Sequence, residues 1–208
     1  MHPSVLKLVH PSAHAALEAI VRHDADAILA CLDAAAGLVD GPVHAAAVDH
    51  DRGEDALAPA SVRFGLAADR DAALAAESPF GAFARAWDAT AFAGPQLVPD
   101  PDPRADFEFV EERERVLEQL GEGTTLTRHV LNAAALEVNR ALADGAETAL
   151  PRTEDFVVFV PDEEPGARLI ANLRLATPEP VAARLRAHGL LPDRVTELEG
   201  FYAAGGRA

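Results

Sequence analysis

The sequence predicts an α+β protein: a small sheet of three or more strands, largely antiparallel, packed with several helices. Three observations lead there. Long stretches repeat their apolar residues at helical spacing. Two neighbouring short segments read as strands. A five-residue apolar run, Phe156 to Val160, stands between acids without a polar break.

Ser12 can cap a helix, and residues 13–38 place Leu17, Ile20, Val21, Ile28, Leu29 and Leu32 on one broad stripe. Gly37 and Gly41-Pro42 end it. Residues 43–51 read as a strand. After a polar turn, Val62, Phe64 and Leu66 alternate with Arg63 as in a half-buried strand, so an antiparallel hairpin with a longer loop is expected. Residues 70–92 are helical in pattern, broken at Ser78-Pro79, with Phe80, Phe83, Trp87 and Phe92 forming an aromatic face. The proline-rich stretch 94–106 reads as a loop and as the one candidate lobe boundary in a chain otherwise taken as a single domain, 1–208. Two further helices come next, the second ended by Gly145. An unbroken apolar strand belongs inside a covered sheet, so Phe156 to Val160 is expected beside the hairpin. Two short helical patterns, 166–176 and 179–191, lie beyond it, and the tail from about 195 to 208 reads as frayed.

A chain of 208 residues can bury roughly 70% of its unfolded surface and needs neither disulfide nor metal to fold. Its single cysteine, Cys31, lies in the apolar stripe of the first helix and reads as an inert core thiol. The net charge is −16, and among 18 basic residues only Lys7 is a lysine. Such a charge repels phosphate backbones, which argues against nucleic acid and favours a basic protein partner. Adaptation to high salt would give the same excess of acids. No apolar run approaches a membrane span of roughly 18 residues, and the start of the chain makes a poor signal peptide, so a cytoplasmic protein away from membranes is expected.

The order of pieces carries a resemblance. An N-terminal helix leads into "VHAAAVDHD" and "SVRFGLAADRD". The Trp-containing "FGAFARAWDATAF" is next, then the helix "LTRHVLNAAALEVNRAL", then "LPRTEDFVVFVPDEE" and "NLRLATPEPVAARLRAHGLL". In this order the chain resembles a bacterial domain-of-unknown-function family, over about residues 13–192. Some members are thought to be immunity or toxin-neutralising proteins. The resemblance implies protein binding and supplies no catalytic residues.

Of the constellations that can carry chemistry, Asp49-His50-Asp51 is the strongest. Carboxylate and imidazole suit Zn, Mn or Fe, with Asp162 or Glu163 as further ligands, although a polar strand end entering a turn reads the same way. His10 and His14 have i, i+4 spacing, but Pro11-Ser12 between them is helix-start chemistry. His23, His129 and His188 read as surface histidines. Gly121 to Thr125 reads as the junction of two helices that an anion could also use. Asn132 and Asn139, seven apart on one helix face, are amides that need partners if buried and could read a peptide backbone. No GxSxG, Walker loop or GxGxxG occurs, and no cofactor is implied.

The first functional expectation is therefore a protein-binding protein, its partner basic, with Asp100, Asp102, Asp162, Glu163 and Glu164 as exposed loop acids at the interface. The alternatives are a metal-dependent hydrolase using Asp49, His50 and Asp162, with Asp51 as a further ligand, and a structural subunit.

Overall fold

The computed structural model describes residues 11–50, 59–76, 79–99, 113, 116, 124–162 and 166–192. In chain order these form α1 (Pro11–Ala35), β1 (Val43–Asp49), β2 (Ser61–Leu66), α2 (Ala67–Ala76) and α3 (Pro79–Ala86). A short 3-10 turn (Ala89–Ala91) and β3 (Gln96–Leu97) come next, then α4 (Thr124–Ala143), β4 (Arg152–Phe159), α5 (Ala167–Ala176) and α6 (Glu179–Ala187). The fold is α+β, as the sequence predicts.

The four strands lie in the order β3-β2-β1-β4. The expected hairpin is present: β1 and β2 are antiparallel, from Asp49 opposite Ser61 to Val43 opposite Leu66, with a bulge at His44. Part of the proline-rich stretch joins the sheet, since Gln96 and Leu97 pair with Arg63 and Val62 as a two-residue edge flanked by Pro95 and Pro99. β4 runs parallel to β1, with Ala45, Ala46 and Ala47 opposite Val157, Val158 and Phe159. The sheet is thus mixed, with two antiparallel pairings and one parallel.

Helices cover both faces of the β1–β4 pair. Ala46, Val48, Phe156, Val158 and Val160 pack with α1 and α4. Ala45, Ala47, Val157 and Phe159 pack with α3, α5 and α6. Burial on two sides is why both strands read as continuous apolar runs. The small residues of β1 leave room for bulk from elsewhere: Trp87 meets Phe159 edge-on at 5.1 Å and donates its indole N–H to Leu190 O at 2.9 Å. Cys31 is buried in the α1 face.

Among the described strands, β4 is hydrogen-bonded on one side only, so the apolar run lies at the sheet's edge and not inside it. Side chains seal that edge. Asn139 of α4 accepts the Val158 N–H at 2.8 Å and donates to Val158 O at 2.8 Å and to Ala176 O at 2.7 Å. Its amide thereby takes the place of a neighbouring strand's peptide group. One rung further, Asn132 donates to Asn172 at 3.3 Å, and Asn172 donates to Val160 O at 3.2 Å. At the next rung Arg128 and Arg168 flank Asp162. Residues 158, 160 and 162 keep the strand's period of two. Residues 176, 172 and 168 keep to one helical face of α5.

Substitution at Asn139 should be costly in a graded way. Asn139→Ala leaves three buried backbone groups unpaired and should lower stability by about 3–5 kcal/mol. Asn139→Asp should be worse, because a carboxylate would then face two carbonyl oxygens. Urea unfolding monitored by the fluorescence of Trp87, the chain's single tryptophan, tests both the loss and the order.

Candidate functional site

Polar side chains gather at the two opposite ends of the β1–β4 pair. At the amino end, Asp155 shares the face of Val157 and Phe159 and points into the layer formed by α2 and α6. Its side chain is 3% exposed. Arg70 of α2 donates to both Asp155 oxygens at 2.9 Å. His188, at the end of α6, places Nδ1 2.9 Å from Oδ2. Burial alone would raise the Asp155 pKa. Hydrogen bonds from Thr153 and His188, with the charge of Arg70, overcome it and hold the carboxyl at about 2. Arg70 also bonds Asp71.

His44, the bulge residue of β1, lies beside this group. Its ring stands edge-on to Trp87 and Phe92 and against the backbone of Gly65, where a Cβ would approach Nε2 to 2.8 Å. Burial, then the charge of Arg70, pushes its pKa down to about 4, against the opposing pull of Asp155 and Asp71. Every strong group here has a partner. The arrangement clasps β4 to α2 and α6, and the imidazole of His188 is half-exposed.

The carboxyl end is different. His50 directly follows β1 and Asp162 lies three residues past the end of β4, so both stand beyond the carboxyl ends of these paired strands. Asp162 Oδ2 is 3.8 Å from Arg128 and 3.5 Å from Arg168. His50 is buried, and neither ring nitrogen has a hydrogen-bond partner among the described residues; its Nδ1 lies 4.0 Å from Asp49. The Thr127 hydroxyl, the Arg128 Nε–H and the Asn132 carbonyl oxygen are likewise buried and unpartnered. On α1, Asp24 is hydrogen-bonded to Arg113 and lies near His23. Burial raises its pKa despite the opposing pull of both neighbours.

These placements correct two expectations. Asp162 is not an exposed interface acid, because its side chain is 4% exposed between two guanidinium groups. Nor do Asp49, His50 and Asp162 come together as ligands: among the described residues no three His, Cys, Asp or Glu side chains are grouped so that they could hold a metal ion. Asp49 instead accepts the N–H of His50 at 3.0 Å. Asp51, Asp100, Asp102, Glu163 and Glu164 lie outside the described residues. His188 is exposed as expected, but it is anchored to a buried carboxylate. The Arg70–Asp155–His188 group escapes sequence reasoning. Its one signal is that Asp155 falls in register with Val157 and Phe159, which aims a carboxylate at the core and demands a cation.

No family model, no curated protein and no solved structure matches the chain. The likeness to immunity-type proteins therefore rests on the order of elements alone. No described helix is long and apolar enough to cross a membrane.

Acid should act first through His44. Its folded pKa of about 4 lies below the unfolded value near 6.5, so its contribution is complete above that value and is lost as pH falls toward 4. The loss amounts to about 3 kcal/mol. Asp155 adds a second loss between its unfolded value of 3.8 and about 2. Melting temperature against pH should fall more steeply between 6.5 and 4 in the parent than in His44→Gln. Equal slopes would show that His44 is not the titrating group.

Proposed function

We propose that the protein works by binding another protein, a basic one, in the manner of an immunity or toxin-neutralising protein. The observation that carries this reading lies where α1 and α4 finish. Leu38 is 59% exposed there, among the exposed acids Asp33, Asp40, Asp144 and Glu147. The two segments that hold them are tied together. Asp33 accepts from Thr148 Oγ1 at 2.8 Å and from the Ala149 N–H at 2.9 Å, and the Val43 N–H donates to Pro151 O at 2.8 Å. An apolar anchor with a charged rim is the usual anatomy of a binding surface. The net charge of −16 would speed encounter with a cationic partner. Arg140 and Arg152 are the nearest basic residues in sequence and leave the rim acidic.

The hydrolase reading with Asp49, His50 and Asp162 is the weaker one. A cation at Asp162 would have to compete with Arg128 and Arg168 for the same oxygen.

A pull-down from the native host, then association kinetics at low and high salt, tests the proposal. The triple change Asp40→Asn, Asp144→Asn and Glu147→Gln should slow association roughly tenfold at low salt and flatten its salt dependence. Leu38→Ala should act on dissociation instead. A partner whose association ignores both salt and these four positions would overturn the reading.

A further inference from the structure

His44 is buried under a thin cover. Its ring stands 5.9 Å from Trp87 and 5.7 Å from Phe92. Phe92 belongs to residues 88–97, a strap made of the 3-10 turn, a bend and β3. Two glycines let this strap lie close on β2. A Cβ at Gly65 would stand 2.9 Å from the Phe92 ring, and one at Gly94 would collide with the Phe64 carbonyl oxygen.

Few polar ties hold the strap. The Gly94 N–H donates to Phe64 O at 3.1 Å, the Phe64 N–H donates to Pro95 O at 3.3 Å, and β3 adds two residue pairs. Asp88 caps the turn from within the same segment, through the Thr90 N–H and hydroxyl. Phe92 adds edge-on contacts with Phe159 at 6.3 Å and with His44. A segment so lightly bonded opens at lower cost than the sheet it covers.

The charged groups that act on the His44 ring come from two elements. α2 contributes Arg70 and Asp71, and β4 contributes Asp155, which His188 at the end of α6 also bonds. Trp87, Gly65 and Phe92, which face the ring from its other sides, carry no ionisable group. Burial, then the charge of Arg70, disfavours an imidazolium here, and Asp155 is already bonded by Arg70 and His188. A proton on His44 is therefore accommodated best when the ring meets water. Trp87 is pinned by its N–H to Leu190 O, which leaves the strap as the part of the cover that can lift.

We propose that His44 is the catch of a pH-operated strap: a proton on its ring releases residues 88–97 from β2 and uncovers the aromatic cluster beneath. Under the closed strap the ring titrates at about 4, and when hydrated it titrates near its ordinary 6.5. The closed strap is thus fully stable above 6.5 and loses stability as pH falls toward 4. The ratio of open to closed strap should rise roughly twentyfold between pH 7 and 5. This device is separate from the Leu38 surface, which lies where α1 and α4 finish.

Amide hydrogen exchange, corrected for the pH dependence of the chemical step, tests it. The Gly94 and Phe64 N–H groups should be less protected than the Val158 N–H, which reports on the β1–β4 pair. Their protection should fall about twentyfold from pH 7 to 5, and His44→Gln should abolish that fall. Should this variant not fold, Phe92→Ala serves in its place: with the ring already hydrated, protection is lower and its pH dependence shrinks. Protection equal to that of Val158 would mean that the strap opens only with the whole fold. Protection independent of pH, or a pH dependence unchanged in every variant that folds, would leave His44 no part in the opening. Any of these results overturns the proposal.

Discussion

The two-way hydrogen bonding of Asn139 to Val158 is the constraint on which the architecture turns. A parallel edge strand buried between helix layers has outward N–H and C=O groups that neither water nor another strand can reach. Each such group is expensive if left alone. A primary amide carries both a donor and an acceptor in nearly the geometry of a peptide, so one side chain satisfies what a fifth strand would otherwise supply. Its second N–H reaches the last carbonyl of α5. A single side chain thereby fixes the spacing of α4, β4 and α5. It also closes an edge that could otherwise pair with another chain.

With the middle of the β1–β4 pair fixed in this way, its two ends differ in how well their polar groups are matched. At the amino end, β4 turns an ionised carboxylate inward, and Arg70 and His188 are drawn onto it from two helices. That end is saturated, and its polarity serves cohesion. At the carboxyl end the helices α4 and α5 begin, so their positive poles and three arginines lie near strand termini that carry acids. Groups there are buried but only partly matched.

The periodic features were legible in the sequence. The stripe on α1, the β1–β2 hairpin, the Trp87 face and the end of α4 at Gly145 depend on neighbours in the chain. Gly145 has φ +98, with the Ala146 N–H bonded back to Ala141 O. The parallel placement of β4 was not legible, because an apolar run looks the same whether strands or helices cover its edges. Asn132 and Asn139 announced a need for partners. That Asn139 would read a peptide backbone of its own chain depends on how α4 lies along β4, which no local pattern encodes. Asp162 shows the same gap. Standing before further acids in a loop sequence it reads as wet, yet Arg128 and Arg168 reach it from two helices and close it off.

An acidic chain that pairs some of its arginines with buried carboxylates leaves a surface with fewer cations per acid than its composition suggests. Arg70, Arg113 and Arg128 each neutralise a buried or nearly buried carboxylate, so these cations are not there to offset Glu18, Asp26, Asp33, Asp40 and Asp69 outside. Surface acids with few cations between them repel one another, and that cost falls when a basic surface approaches. Salt would relieve the same repulsion by screening, without regard to where the acids sit. The two explanations part at Leu38. Screening acts on the acids alone, whereas a docking surface would also use the apolar side chain among them.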